Sequence, residues 1–209
     1  MTSPIPVHGL VLGDLRKRGL YWRATEKKDG RLWDVLSQAP MSTEFALTRF
    51  LVPTLAKTGW AMFLDCDMLV RENLARIFDL VDNKYAVMVV KHEHNPHLGK
   101  KMDNQIQTPY ARKNWSSMIL YNCDHPANKR LDVNYVNETR GLHLHQFCWL
   151  RDEEIGGLNV EWNWLVGHSD RTVEPKIVHF TDGIPSMPGY SNAPYAEEWW
   201  EELKAWALA

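Results

Sequence analysis

The sequence has 209 residues, enough for one domain with a full hydrophobic core. Apolar residues make up 44% and charged residues 24%, which excludes a disordered or collagen-like chain. A net charge of −2 excludes a duplex-binding protein that works through a strongly basic face, though it leaves room for a local basic groove.

From the N-terminus, IPVHGLVL (5–12) reads as a short strand, and its apolar stretch lacks the length and flanks of a signal peptide. GDLRKR (13–18) begins a loop or helical turn. Residues 22–43 are polar, broken by Gly30 and Pro40, and read as a loop. Ser42 or Thr43 can cap a following helix, in which Phe45, Ala46, Phe50, Leu51 and Leu55 keep helical spacing and Pro53 kinks or ends the run. WAMFLDCDMLV (60–70) follows. Ala61–Leu64 is the continuous apolar run of a strand buried on both faces, and it stops at two aspartates.

ENLARIFDL (72–80) has the pattern of a short amphipathic helix, and YAVMVV (85–90) that of a second buried strand. Residues 92–113 are polar and long for a loop in a compact domain, a feature that more often signals function. WSSMILYN (115–122) reads as a strand, 143–150 as helical, and KIVHF (176–180) as a strand with a histidine near its end. The chain closes on an amphipathic helix, 194–207, whose Trp199, Trp200 and Trp206 are expected to pack. Strands alternating with helices predict an α/β fold with a mostly parallel central sheet flanked by helices, in one domain over 1–209.

The three cysteines, Cys66, Cys123 and Cys148, form no CxxC, so neither a disulfide framework nor a zinc cluster is expected. A reducing compartment, and hence a cytoplasmic location, fits better. No apolar run reaches the ~18 residues of a membrane-spanning helix.

Asp65 and Asp67 stand two apart where a buried strand ends, so strand alternation sends both to one side. In an open α/β sheet, ligands bind beyond the carboxyl ends of strands. Carboxylates there suit a hard divalent cation that keeps phosphate oxygens as further ligands. The same pair also reads as loop carboxylates capping the 72–80 helix. His179 ends another apolar strand, and a neutral imidazole is a common third ligand. Two such strand ends in one sheet would make a shared site.

The ordered series LTRFLVP (47–53), MFLDCDMLV (62–70), YAVMVVKH (85–92), KNWSSMILYN (113–122), DEEIGGLNVEWNWL (152–165) and IVHFTDG (177–183) resembles the family 8 glycosyltransferases. It is closer still to a set of uncharacterised bacterial and phage glycosyltransferases. The resemblance implies a GT-A fold, a divalent metal (Mn2+, or Mg2+), a nucleoside-diphosphate sugar donor with a UDP-sugar expected, and transfer with retention. It makes Asp65, Asp67 and His179 the metal ligands and gives Arg49, Asp65, Ser116 and Ser117 contacts with the donor. Asp152 and Glu153 fall where the family has Asp-Gln, the Asp on the sugar and the Gln beside the anomeric carbon. Glu153 there would stabilise an oxocarbenium-like carbon electrostatically or act as a nucleophile; the bland alternative is a solvated acidic turn.

The sequence departs from the family in three places. The D-x-D comes early, and the opening strand that holds the nucleotide base is not recognisable, so a domain short at its N-terminus is expected. The segment 181–188 lacks the diphosphate-binding lysine; Gly183 there could let backbone N–H groups approach a phosphate. Glu153 replaces Gln. The basic loop carries Lys91, His92, His94, His97, Lys100, Lys101, Arg112 and Lys113 and reads either as a lid over diphosphate or acceptor or as a solvated loop; its loosely spaced histidines predict no second metal site. Asn163 is read either as an acceptor contact or as part of a core turn. The acceptor, whether glycan, lipid or another molecule, is not encoded, and a homo-oligomer stays open. Two other functions also stay open: a degenerate, non-catalytic nucleotide- or sugar-binding domain, and a nucleotidyltransferase.

Overall fold

The computed structural model describes residues 5–93, 100–101, 105–106 and 112–208. Residues 5–11 take no strand. Val7 is 84% exposed, so the apolar pattern there marks no buried face. Helix α1 (Leu12–Lys17) comes instead, and it buries Leu15.

The polar stretch expected to be a loop folds into an antiparallel meander of β1 (Thr25–Lys28), β2 (Arg31–Asp34) and β3 (Ala39–Pro40). Its first turn is Asp29-Gly30, both at positive φ, the pairing that matches strand twist in a two-residue hairpin. Arg23 holds the meander to the body. It pairs with Asp34 in the interior and donates to the carbonyls of Val136, Asn137 and Thr139.

The expected helix before the D-x-D is a 3₁₀ turn (Thr48–Leu51) running into α2 (Val52–Ala56), with Pro53 in the first turn of α2, where its missing N–H costs nothing. Strand β4 (Trp60–Leu64) ends at the aspartates, and β5 (Met68–Val70) follows directly. Residues 72–80 form a 3₁₀ helix (Leu74–Leu80), capped by the Asn73 side chain on the Ala75 N–H. Strand β6 is Val87–Val90. Two-residue strands β7 (Lys100–Lys101) and β8 (Gln105–Ile106) pair as a ribbon within the long loop. Strand β9 is Met118–Asn122, entered through a 3₁₀ turn at Trp115–Ser117. Helices α3 (Val133–Glu138) and α4 (Gly141–His145) precede β10 (Ile155–Leu158), β11 (Trp164–Leu165), β12 (Ile177–His179) and the C-terminal helix α5 (Ala196–Ala207).

The fold is mixed α/β, and the mostly parallel sheet expected from the sequence is not what forms. The four-stranded sheet runs β10-β6-β9-β4. β10 and β6 pair in parallel, but β9 lies antiparallel between β6 and β4. A second sheet, β11-β12-β5, pairs β11 with β12 in parallel and β12 with β5 antiparallel. Unbroken apolar runs report burial on both faces, and that burial belongs to central strands of either direction. β6 and β9 are buried at every position; β4, an edge strand, is only half-buried along its length, against the expectation of full burial.

Alternation along these strands feeds two cores. Val87, Val89, Ile119 and Tyr121 face Phe50, Leu51 and Leu144, whereas Met88, Met118 and Leu120 face Ile77, Trp162 and Ile177. A third cluster, Leu69, Trp164, Val178 and Phe180, sits under α5 and takes Trp199. Trp206 is 77% exposed and Trp200 stands at the exposed boundary, so only one of the three terminal tryptophans packs as expected. Among the described residues no helix is long and apolar enough to cross a membrane, and all three cysteines are free.

Candidate metal centre

The chain leaves one sheet and joins another at Asp65-Cys66-Asp67. The Asp65 N–H donates to the Ser117 carbonyl at 3.0 Å, extending the β4–β9 ladder, and the Asp67 carbonyl accepts the Phe180 N–H at 3.0 Å, extending the β5–β12 ladder. The tripeptide is thus fixed at both ends. The second ladder pairs Met68 with His179, which carries the imidazole to the aspartates. His179 therefore does not share the sheet of β4, as the sequence suggested, but reaches the site from the second sheet.

One ligand atom from each of Asp65, Asp67 and His179 lies within 4.8 Å of the others. His179 Nε2 is 3.4 Å from Asp67 Oδ1, and the ring is 3% exposed. Arg49, also buried, grips Asp65 with two prongs, Nη1 to Oδ2 at 3.1 Å and Nη2 to Oδ1 at 2.8 Å. The same guanidinium donates to the Ser116 and Ala46 carbonyls and lies over the Phe63 ring. Burial pushes the Asp65 carboxyl above its ordinary range; Arg49 opposes that shift and the Asp67 charge adds to it. Two carboxylate oxygens and an imidazole nitrogen form a donor set suited to a divalent ion such as Mn2+ or Mg2+, whose charge would favour both carboxylates in their ionised form.

Ser116 and Ser117 stand beside this centre with both hydroxyls engaged inside the protein. Ser116 Oγ meets His145 Nδ1 at 2.7 Å, and Ser117 Oγ donates to the Asn114 carbonyl at 2.7 Å. His145 is half-buried, and desolvation with the Arg49 and Arg23 charges pushes it down to about 3, so it is neutral. Asn163, wholly buried, donates from Nδ2 to Ser117 Oγ at 2.9 Å and faces His179 Nδ1 with Oδ1 at 3.1 Å. The sequence offered an acceptor contact or a core turn for Asn163, and it is the second of these. Its Trp-Asn-Trp setting, a polar residue between apolar neighbours, was the only signal for that burial.

Gly183 gives its N–H to the Phe180 carbonyl at 3.0 Å, so that group already has a partner. A Cβ at Gly183 would stand 2.5 Å from the Tyr190 ring, and this close packing accounts for the glycine.

Asp152 and Glu153 are not among the residues whose ligand atoms cluster with those of the triad. They sit in a 3₁₀ turn before Ile155, which pairs with Val87 at the start of β6. Arg112, the partner of Asp152, also lies over the ring of Trp115, whose indole donates to the His92 carbonyl just beyond β6. The Asp152 side chain is 87% exposed and pairs with Arg112; Glu153 pairs with Arg151 at 3.3 Å. A cavity of about 300 Å³ lined by Trp60, Asn83, Asn122 and His125 lies at the entry end of β4.

At the triad end, His92 follows β6. Burial and the nearby His179 and His168 push it down to about 4. Lys91 donates to the Ile155 carbonyl, and Arg112 also donates to the Gln146 carbonyl. Lys113 is buried. His94, His97 and the side chains of Lys100 and Lys101 lie outside the described residues.

No family model matches the chain. Among solved structures, the WbbM bifunctional glycosyltransferase in its apo form is similar over 80% of this chain and 39% of its own, at 15% identity and a TM-score of 0.47. Mouse xyloside xylosyltransferase 1, also apo, is similar over 69% of this chain and 68% of its own, at 14% identity and a TM-score of 0.46. Protein CDI of Arabidopsis thaliana is 43% identical over 209 residues, an alignment covering 97% of this chain and 76% of that protein. With that identity sustained over almost its whole length, the chain belongs to the family of Protein CDI.

Proposed function

We propose that this chain is a metal-dependent glycosyltransferase of GT-A architecture. It moves a sugar from a nucleoside-diphosphate sugar, with UDP the expected nucleotide, to a glycan, lipid or other acceptor with retention. The observation that carries this reading is the convergence of Asp65, Asp67 and His179, from two sheets, on one point at the end of β4. The sequence resemblance supplies the donor class.

Asp65, Asp67 and His179 hold the ion. When bound, Mn2+ or Mg2+ supplies Lewis-acid neutralisation of the charge that builds on the departing diphosphate. Arg49 orients Asp65 through its two-pronged pair and adds fixed positive charge next to the diphosphate. Ser116 and Ser117 act through their carbonyls, which fix Arg49 and the Asp65 backbone. Gly183 shapes the turn after β12. The resemblance gives Asp152 and Glu153 the sugar-facing role. Glu153→Gln tests it: a loss of turnover of about 100-fold or more, the scale of one lost charge-stabilising group, would support the role. Unchanged turnover would make the pair a surface ion-pair turn. Three free cysteines fit a reducing, cytoplasmic setting.

The test is release of nucleoside diphosphate from a panel of nucleotide sugars with Mn2+ present. The reading predicts release or transfer with at least one donor, abolished by chelation and by Asp67→Ala. Tight nucleotide binding with no turnover would favour the non-catalytic reading. Pyrophosphate release from a nucleoside triphosphate and a sugar phosphate would favour a nucleotidyltransferase.

A further inference from the structure

His179 can serve as a ligand through Nε2 only in the neutral tautomer that carries its proton on Nδ1, and the buried groups behind the ring decide which tautomer forms. The Asn114 carbonyl can only accept. It sits in a residue at φ 63°, a left-handed conformation that asparagine tolerates, and faces Ser117 Oγ at 2.7 Å. The Ser117 hydroxyl proton is therefore committed to Asn114, and its oxygen is left to accept. What it accepts is the Asn163 amide N–H, at 2.9 Å. That fixes the amide with Oδ1 towards His179 Nδ1, 3.1 Å away. An amide oxygen can only accept, so Nδ1 must carry the proton and the Nε2 lone pair is turned to the side where Asp67 Oδ1 lies. Ser117 is 5% exposed, Asn163 0% and His179 3%, which keeps bulk water from substituting for any of these partners.

We propose that Asn163 and Ser117 are positioning residues: the one-way hydrogen-bond chain Asn114–Ser117–Asn163 sets the His179 tautomer and presents Nε2 as the metal ligand. Its value for metal binding rests on the reading of Asp65, Asp67 and His179 as a metal centre; the tautomer itself does not.

The experiment reads both. Nitrogen-15 NMR of the imidazoles in the metal-free protein, at a pH where His179 is neutral, reports the tautomer, and titration with Mn2+ reports affinity. Wild type should show Nδ1 protonated. Asn163→Ala should mix the tautomers and weaken Mn2+ binding by about 10- to 100-fold, the range for loss of a partner behind a ligand. Asn163→Asp, whose carboxylate is an obligate acceptor, should keep the tautomer and the ion. Ser117→Ala is the second variant. It leaves the Ser117 carbonyl on the Asp65 N–H in place and removes only a hydroxyl that bonds Asn114 and Asn163, yet it frees the amide to turn and should move both readouts in the same direction as Asn163→Ala.

Protonation of Nε2 in the wild type, or an unchanged tautomer in Asn163→Ala and Ser117→Ala, overturns the proposal. Failure of Mn2+ to bind any of these proteins, or equal binding by His179→Ala, sinks the metal-centre reading instead and leaves the tautomer result to decide the relay alone.

Discussion

Arg49 shows how much of the centre depends on single side chains. Its two-pronged pair with Asp65 is mostly removed from water, so deleting one partner leaves the other charge buried and unmatched. Arg49→Ala should cost about 3 kcal/mol in denaturant unfolding, the low end for a broken buried pair because a fifth of the Asp65 side chain is exposed. Arg49→Lys should recover little, since an ammonium cannot make both contacts. His145 gives a second residue-scale test. Its folded pKa is pushed down to about 3, below the unfolded value near 6.5. Below pH 6.5 the unfolded chain takes up a proton that the folded protein refuses. The stability from this group is therefore complete above pH 6.5 and falls as pH drops towards 3, at up to about 1.4 kcal/mol per pH unit. His92, pushed down to about 4, acts in the same direction. Urea midpoints at pH 7 and pH 5 should differ in wild type and differ less in His145→Gln.

At the scale of elements, the turn after β12 separates packing from ligand binding. Gly183→Ala would drive a Cβ into the Tyr190 ring and should lower stability by about 1–3 kcal/mol, the cost of overpacking. A thermal melt without ligands measures that. An unchanged melt combined with weakened nucleotide binding would restore the phosphate-contact role expected from the sequence. The elements themselves were unevenly legible. Apolar runs located β4, β6, β9 and β12, because burial of both faces or of an edge leaves that pattern whatever the strand direction. Direction was not legible, because pairing depends on which distant strand lies alongside. The meander at 25–40 carried one clear local signal, Asp29-Gly30, but β1 is mostly exposed and polar and β2 is half-buried without alternation, so no period of two stood out. The opposite error fell at 5–11, where apolar residues suggested a strand and, among the described residues, none pairs with them.

Across the whole molecule, the centre forms where two mixed sheets are joined by three residues. Asp65 is tied to the first sheet through Ser117 and Asp67 to the second through Phe180, so the distance between the carboxylates follows from the packing of the sheets. The sequence singled out the three candidate ligands, since acidic residues and a histidine stood out at the ends of apolar runs. It did not show the layer behind them. Asn163 and Ser117 owe their importance to contacts between positions 46 residues apart, which no local pattern records. Asp152 and Glu153 depend on distant contacts in the same way: their motif matched by order along the chain, but Asp152 pairs with Arg112, 40 residues away, while Glu153 pairs with Arg151. On the proposed function, Asp65, Asp67 and His179 together hold a divalent ion that engages a nucleoside diphosphate. Calorimetric titration of Mn2+ into the protein with UDP present, for wild type, Asp67→Asn and His179→Ala, tests it most directly. A single ion should bind the wild type, and about tenfold or more weakly each variant; equal affinity in all three proteins, or no binding by the wild type, would overturn the metal centre.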